Sequence, residues 1–284
     1  MRSRQARLQA RDKAKRAPAA TNFSRRPARQ GVRQLFTAAA LRTLVRDPAV
    51  FWANVRQGPE FLRDKRRQCD LSELDEYIEP EPQAVRAVTG VDKARYRAAS
   101  GEIWLPPADP DDPLSVWNAR EELLRIVGTI VKLNRPAVMV ETGVALGFTT
   151  ATVLRAMEDA GRGHLYSVDL PALQYNHADP VGRAVPASLT GRRTLELGDS
   201  RKKLEPLCAR VAPVDIFLHD ALHTYSSQLR EYRTVWPFIR PGGLLISDDV
   251  NNPAFVEFAR EVGTLPHLVV GSSRGDAVGL LRKP

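Results

Sequence analysis

Apolar and polar positions change their rhythm along this chain of 284 residues. From residue 137 onward, short apolar runs alternate with stretches at helical spacing. Ala137–Glu141 predicts a strand and Thr149–Asp159 a helix. Gly161 and Gly163 turn the chain into a strand at His164–Val168, and a long loop covers 170–191. Strand Thr194–Leu197 leads to helix Arg201–Arg210, and strand Val214–His219 to a helix over Tyr225–Ile239. Pro241-Gly242-Gly243 opens strand Leu244–Ser247, and helix Ala254–Val262 follows. Strand-helix alternation with apolar strands predicts a parallel, doubly wound sheet. The closing LPHLVVGSSRGDAVGLLRK holds two short apolar runs around SSRGD and predicts a β-hairpin, placing one antiparallel strand in the sheet.

The first half has a different pattern. Residues 1–30 are rich in Arg, Ala, Pro and Gln and nearly without large apolar residues, so burial cannot offset their ordering entropy and a disordered tail is expected. Leu35, Phe36, Leu41, Leu44 and Val45 fall near one helical face, Pro48 breaks the run, and Val50, Phe51, Val55, Phe61 and Leu62 continue it. Such a stripe with arginine opposite suits a membrane or a partner helix. It suits better a cap on the following domain or a homo-oligomer interface. YIEPEPQAV and LPPADPDDPL are Pro-rich, acidic loops on either side of a helix over Val88–Ser100. Ser115–Lys132 predicts an amphipathic helix with Leu123, Leu124, Val127 and Ile130 inward. The expected organisation is a basic tail (1–30), a helical extension with a lid or linker (31–114) and an α/β domain (115–284).

Composition narrows the class. With 43% hydrophobic and 26% charged residues the chain has the balance of a globular protein. No apolar run approaches the ~20 residues of a membrane span, so no transmembrane segment is expected. Basic residues without an apolar stretch behind them exclude a secretory signal and leave an organelle transit peptide as the alternative start. Cys69 and Cys208 form neither a metal spacing nor a disulfide framework, which points to the cytoplasm. Charge is uneven: residues 1–70 hold 18 basic and 5 acidic side chains, a net of +13, and the remainder 24 and 28, a net of −4. Basicity therefore belongs to the N-terminal segment and gives no warrant for nucleic-acid binding by the α/β domain.

Candidate chemistry gathers at predicted strand ends. VMVETGVALGFT, residues 138–149, is a strand, a glycine-containing bend and a helix start, an arrangement that brings nucleotides close to backbone and to free helix N–H groups. Ala145 stands where a dinucleotide fingerprint has its middle glycine. Glu141, Asp169, Asp199, Asp220, Asp248 and Asp249 all fall at strand ends, the functional edge of such folds. Packing explains six acids there poorly, because a buried carboxylate needs a partner.

This set of motifs resembles the class I S-adenosylmethionine-dependent methyltransferases over about residues 115–284. VETGVALGFTT is similar to their first motif, around the methionine part of the cofactor. HLYSVDLP is similar to the second, LELGDS to the third, and RPGGLLISDDV to the segment entering the fifth strand. FLHDALHTYSSQLREY and GRAVPASLTGRRTLELGDS resemble, more narrowly, bacterial metal-dependent O-methyltransferases of sugars and macrolides. The resemblance implies a Rossmann-like, mostly parallel seven-stranded sheet with the antiparallel hairpin at its end. It implies cofactor contacts from Glu141, Gly143, Gly147, Thr149, Asp169, Asp199 and Ser200, with Asp169 on the ribose and Asp199 and Ser200 by the adenine.

The residues agree with those roles. A carboxylate accepts both hydrogen bonds of a ribose diol, and Asp169 stands 26 residues after Gly143. Glu141 suits either the sulfonium charge or the organisation of its own loop. Asp220, Asp248 and Asp249 converge on one pocket if the fourth and fifth strands are neighbours, and oxygen ligands there suit Mg²⁺. Without metal, one acid would bind substrate and another cap a helix. His223 is the candidate base for an acceptor hydroxyl, with Asp220 beside it and His219 as rival. Tyr225 suits orientation of the acceptor or packing; Tyr175 and His177 suit the pocket wall. The expected reaction is methyl transfer to a hydroxyl of a small molecule. The alternatives are an RNA or protein methyltransferase docked through the basic arm, a non-catalytic cofactor-binding scaffold and, more weakly, a dehydrogenase.

Overall fold

A computed structural model describes residues 38–109, 118–173, 181–271 and 276–284. The basic tail, Tyr175 and His177 lie outside the described residues. In chain order the principal elements are helices α1 (Ala38–Arg46), α2 (Pro48–Asp64), α3 (Glu81–Thr89), α4 (Lys93–Ser100) and α5 (Glu121–Asn134), strand β1 (Val138–Thr142), helix α6 (Phe148–Asp159) and strand β2 (His164–Asp169). Then come β3 (Arg193–Leu197), α7 (Ser200–Val211), β4 (Val214–His219), α8 (Tyr225–Val235), β5 (Ile239–Val250), α9 (Ala254–Glu261), β6 (His267–Val270) and β7 (Ala277–Arg282).

The seven strands form one sheet in the order β3-β2-β1-β4-β5-β7-β6. β1 to β5 run parallel, and β7 is antiparallel to both β5 and β6. This is the doubly wound sheet and closing hairpin that the apolar pattern predicts. Strand order reverses between β1 and β4, which opens a crevice at their carboxyl ends. Because strand side chains alternate, Met139 joins Ile126 and Ile130 of α5 with Leu154 and Met157 of α6 on one face. Val140 joins Leu204, Leu207, Tyr232, Phe255 and Phe258 of α7, α8 and α9 on the other.

Several boundaries depart from the sequence expectation. YIEPEPQAV, expected as a loop, enters α3 at Glu81, and the helix expected over Val88–Ser100 is interrupted, since Gly90 ends α3 in the left-handed region (φ 71) and Asp92 caps α4 by accepting from the Arg95 N–H. The helix expected over Ser115–Lys132 begins at Glu121 among the described residues. The helix expected to Ile239 stops at Val235, because Trp236–Phe238, with Pro237 inside, forms a 3₁₀ turn and Ile239 already pairs with Val214. β5 is accordingly longer than Leu244–Ser247, with an irregular stretch at the Pro-Gly-Gly.

The inner face of α1 and α2 packs on the α/β body. Ala40 and Phe51 cluster with Leu173, and Asn54 Nδ2 donates to the Pro171 carbonyl at 3.0 Å. Glu60 is buried: Thr224 Oγ1 donates to it at 2.7 Å, and Arg201 and Arg230 stand at 3.5 and 3.6 Å. These contacts set α2 over the ends of β2, β3 and β4.

Candidate active site

β1 delivers Glu141 into a completely buried position. Ser167 Oγ and Thr150 Oγ1 donate to its Oε1 at 2.6 and 2.7 Å, and Oε2 has no hydrogen-bond partner among the described residues. Burial pushes this carboxyl above the ordinary range, with the two hydroxyl donors opposing the shift. Glu141 therefore ties β1 to β2 and to the first turn of α6, and offers one unpaired oxygen.

The bend after β1 is held by close backbone approaches. A Cβ on Gly143 (φ 84) would lie 1.9 Å from the Asp220 carbonyl oxygen, and one on Gly147 (φ 91) would lie 2.8 Å from Gly182 Cα. Ala145, in place of the middle glycine, also sits in the left-handed region (φ 46). Asp169 Oδ1 accepts the N–H of Val144 at 2.8 Å and of Ala145 at 3.4 Å, which steadies that strained turn. Burial raises the Asp169 carboxyl, with those two amides opposing. The acid expected to grip a ribose thus also shapes the glycine bend. No side chain caps the N-terminus of α6. Thr149, on its first turn, donates through Oγ1 to Asp220 Oδ2 at 3.1 Å. At the end of β3, Asp199 caps α7 through the Arg201 N–H at 3.0 Å and pairs with the Arg201 guanidinium, and Ser200 opens that helix. The Gly198 N–H donates to the Asp169 carbonyl, so the ends of β2 and β3 lie side by side.

A second group forms after β4 and β5. Ligand atoms of Asp220, His223 and Asp248 lie within 4.8 Å of one another. His223 Nε2 stands 3.9 Å from Asp220 Oδ1 and 3.7 Å from Asp249 Oδ2, and its buried Nδ1 has no hydrogen-bond partner among the described residues. Burial, then the charges of Asp248 and Asp249, hold the Asp220 carboxyl well above the ordinary range. Asp249 has φ 47, a strained backbone for a residue other than glycine. His219, the rival base, is fully buried and hydrogen-bonds through Nδ1 to Glu231 Oε2 at 2.8 Å, so it serves the interior. Tyr225 hydrogen-bonds Glu257 at 2.7 Å and lies under the Arg67 guanidinium.

Sequence reasoning missed Arg120. This residue, immediately before α5, is buried; its Nη2 pairs with Asp248 Oδ1 at 2.5 Å and Asp249 Oδ1 at 3.1 Å, and its Nη1 donates to the Asp276 carbonyl. Nothing in NAREELLR marks it, because its partners are more than a hundred residues away. Glu60 and Thr224, which fix the start of α8 one residue after His223, were missed for the same reason. The acidic group still fits a divalent cation. The Arg120 guanidinium pairs with Asp248 and Asp249, and the three converging donors, two carboxylates and an imidazole, are ordinary metal ligands. Asp249 is turned toward Arg120 and His223 and is not among the three atoms that converge.

Residues 140–250 match a family model described as a methyltransferase domain. No curated protein matches the chain. Similar solved structures include an O-methyltransferase from Bacillus cereus in complex with SAH, at 15% identity over 71% of this chain and 96% of that one, with a TM-score of 0.49. The O-methyltransferase TomG from Streptomyces achromogenes, in complex with SAM, is similar at 15% identity over 68% and 91%, with a TM-score of 0.49. A methyltransferase from Geobacter sulfurreducens is similar at 18% identity over 68% and 96%, with a TM-score of 0.45. Among the described residues no helix is long and apolar enough to cross a membrane.

Proposed function

We propose that this chain is a class I methyltransferase that transfers a methyl group from S-adenosylmethionine to a hydroxyl oxygen of a small molecule, a sugar or natural product, with Mg²⁺ held by Asp220 and Asp248 and with Asp249 beside them. The observation that carries the reading is the placement of two groups at one topological switch point. The Glu141–Thr149 bend with Asp169 lies on one side, and Asp220, His223, Asp248 and Asp249 lie on the other.

S-adenosylmethionine, when bound, supplies an electrophilic methyl carbon on a sulfonium. Asp169 and Asp199, with Ser200, suit its ribose and adenine; the bend from Gly143 to Gly147 and Thr149 suit its methionine end. Glu141 keeps the bend in place through Thr150 and Ser167. Mg²⁺, when bound, would lower the pKa of the acceptor hydroxyl and orient it. His223 takes the proton of that hydroxyl at Nε2, between Asp220 and Asp249, which stabilise the imidazolium. As the oxygen–carbon bond forms, the sulfur–carbon bond breaks with its electron pair on sulfur. Arg120 holds Asp248 and Asp249 in place. Residues 115–284 form the catalytic domain in this reading and residues 31–114 its lid. A cytoplasmic setting agrees with Cys69 and Cys208 both being unpaired.

The test is turnover against cofactor binding. Once an acceptor is found among sugars and polyketide-type alcohols, His223→Ala lowers turnover by about 10²–10⁴-fold and leaves S-adenosylhomocysteine binding intact. Asp220→Asn or chelation abolishes turnover. Full activity after chelation removes the metal from the account, and full activity of His223→Ala removes the base.

A further inference from the structure

The outward face of α1 and α2 sorts its residues in an unusual way. Among the described residues five large apolar side chains are strongly exposed, and four of them belong to these two helices: Leu41 (53%), Val45 (82%), Trp52 (54%) and Leu62 (53%). Leu41 and Val45 are one turn apart on α1, and Trp52, Arg56 and Arg63 recur at spacings of one and two turns on α2. The arginines Arg42, Arg46 and Arg56 are exposed beside the apolar residues, whereas Arg63, also exposed, pairs with Asp64 at 3.2 Å and donates to Ser226 Oγ at 2.8 Å. The acids of α2 are not exposed: Glu60 and Asp64 are buried and turned inward, on Thr224 and on the Ser226 N–H. The outer face therefore carries apolar bulk and positive charge; of the three acids from Ala38 to Arg67, Glu60 and Asp64 are buried and Asp47 is half-buried, accepting the Val50 N–H at 3.1 Å.

We infer that this face docks on an anionic lipid bilayer surface. Leu41, Val45, Trp52 and Leu62 enter the headgroup boundary, and the arginines meet lipid phosphates. Charge argues for this occupant over a second copy. A two-fold contact would set the same arginines against themselves, with only the half-buried Asp47 on the segment to receive them. It also argues over nucleic acid, which would answer the arginines and leave Leu41, Val45 and Leu62 without partners. The inner face of the same helices rests on Thr224, next to His223, and on the Pro171 carbonyl, so a docked chain holds its catalytic crevice close to the bilayer.

Vesicle co-sedimentation of the full chain tests this, using phosphatidylcholine alone and phosphatidylcholine mixed with phosphatidylglycerol. Binding to the mixed vesicles, weakened by salt, with little to neutral vesicles, is expected. The variant Leu41→Ser/Val45→Ser/Trp52→Ser keeps every charge of the basic N-terminal segment. It should lose affinity on the order of tenfold or more, with unchanged thermal unfolding. Unchanged vesicle affinity of that variant overturns the inference, because binding then rests on charge elsewhere. Absence of binding to mixed vesicles overturns it too. So does a dimer in sedimentation velocity that the triple substitution dissolves, which would assign the face to a second copy. None of these readouts depends on the methyl-transfer reading.

Discussion

Arg120 and Asp248 form a buried ion pair at 2.5 Å, so the acid pair that ends β5 already carries one protein cation. The guanidinium reaches Asp249 as well, at 3.1 Å. Burial favours loss of charge on Arg120, but the carboxylates of Asp248 and Asp249 more than offset it and hold the guanidinium firmly protonated. Removing it takes the guanidinium from both acids beside Asp220. Arg120→Met is expected to cost about 3–5 kcal/mol in denaturant unfolding, the range for breaking a buried pair from one side. Mg²⁺ should restore more stability to Arg120→Met than to the parent chain, since cation binding relieves the exposed repulsion. Equal Mg²⁺ responses would mean that the acids bind no divalent ion.

Gly143 and Gly161 offer a matched comparison, since both have positive φ, 84 and 61. An added Cβ on Gly143 meets the Asp220 carbonyl oxygen at 1.9 Å, whereas one on Gly161 meets nothing within 4 Å. Gly161→Ala should lose only the left-handed backbone cost, about 1–2 kcal/mol by thermal unfolding. Gly143→Ala should in addition push the β1 and β4 loops apart and abolish S-adenosylhomocysteine binding. Comparable behaviour of the two variants would show that the loops do not need to touch.

Asp215 stitches the start of the sheet together. Its Oδ2 accepts the N–H groups of Ala137 and Val138 at 2.7 and 2.9 Å, and its Oδ1 pairs with Arg240 at 2.5 Å. Burial pushes its carboxyl up, but Arg240 and the two amides outweigh that and leave it below the ordinary range. A depressed carboxyl stabilises the fold above its unfolded value of about 3.9, and that contribution is lost as pH falls through the folded value. Asp215→Asn should therefore be less stable by about 1–2 kcal/mol at pH 7, allowing for the partial exposure of Arg240, and the gap should narrow below about pH 4. Urea unfolding at pH 7 and pH 3 measures both.

The sheet was legible in the sequence because its central strands β1, β4 and β5 are largely buried and read as short apolar runs, punctuated by glycine, proline or an acid, whereas the edge strand β3 is half-exposed throughout. The hairpin followed from SSRGD between two such runs. Helix ends were less legible, because Gly90 and Pro237 act through backbone conformation in places where the apolar pattern continues. Within the site, chain order brought out the acids at strand ends, including Asp169, Asp220 and Asp248. The contact of Asp169 with the Val144 and Ala145 amides was not legible, since it depends on how the bend after β1 folds back over β2. Arg120 and Glu60 were invisible for a plainer reason. They meet their acids and hydroxyls across 128 and 164 residues of sequence, and no local spacing encodes such a contact.

The central claim, a cofactor cradle at the β1–β4 switch point, is tested most directly by isothermal calorimetry with S-adenosylmethionine, S-adenosylhomocysteine and NAD. One-to-one binding of the two adenosyl ligands, none of NAD, and loss of the signal in Asp169→Ala at unchanged secondary structure are the predicted results. Heat with NAD and none with S-adenosylhomocysteine, or full binding in Asp169→Ala, would contradict it.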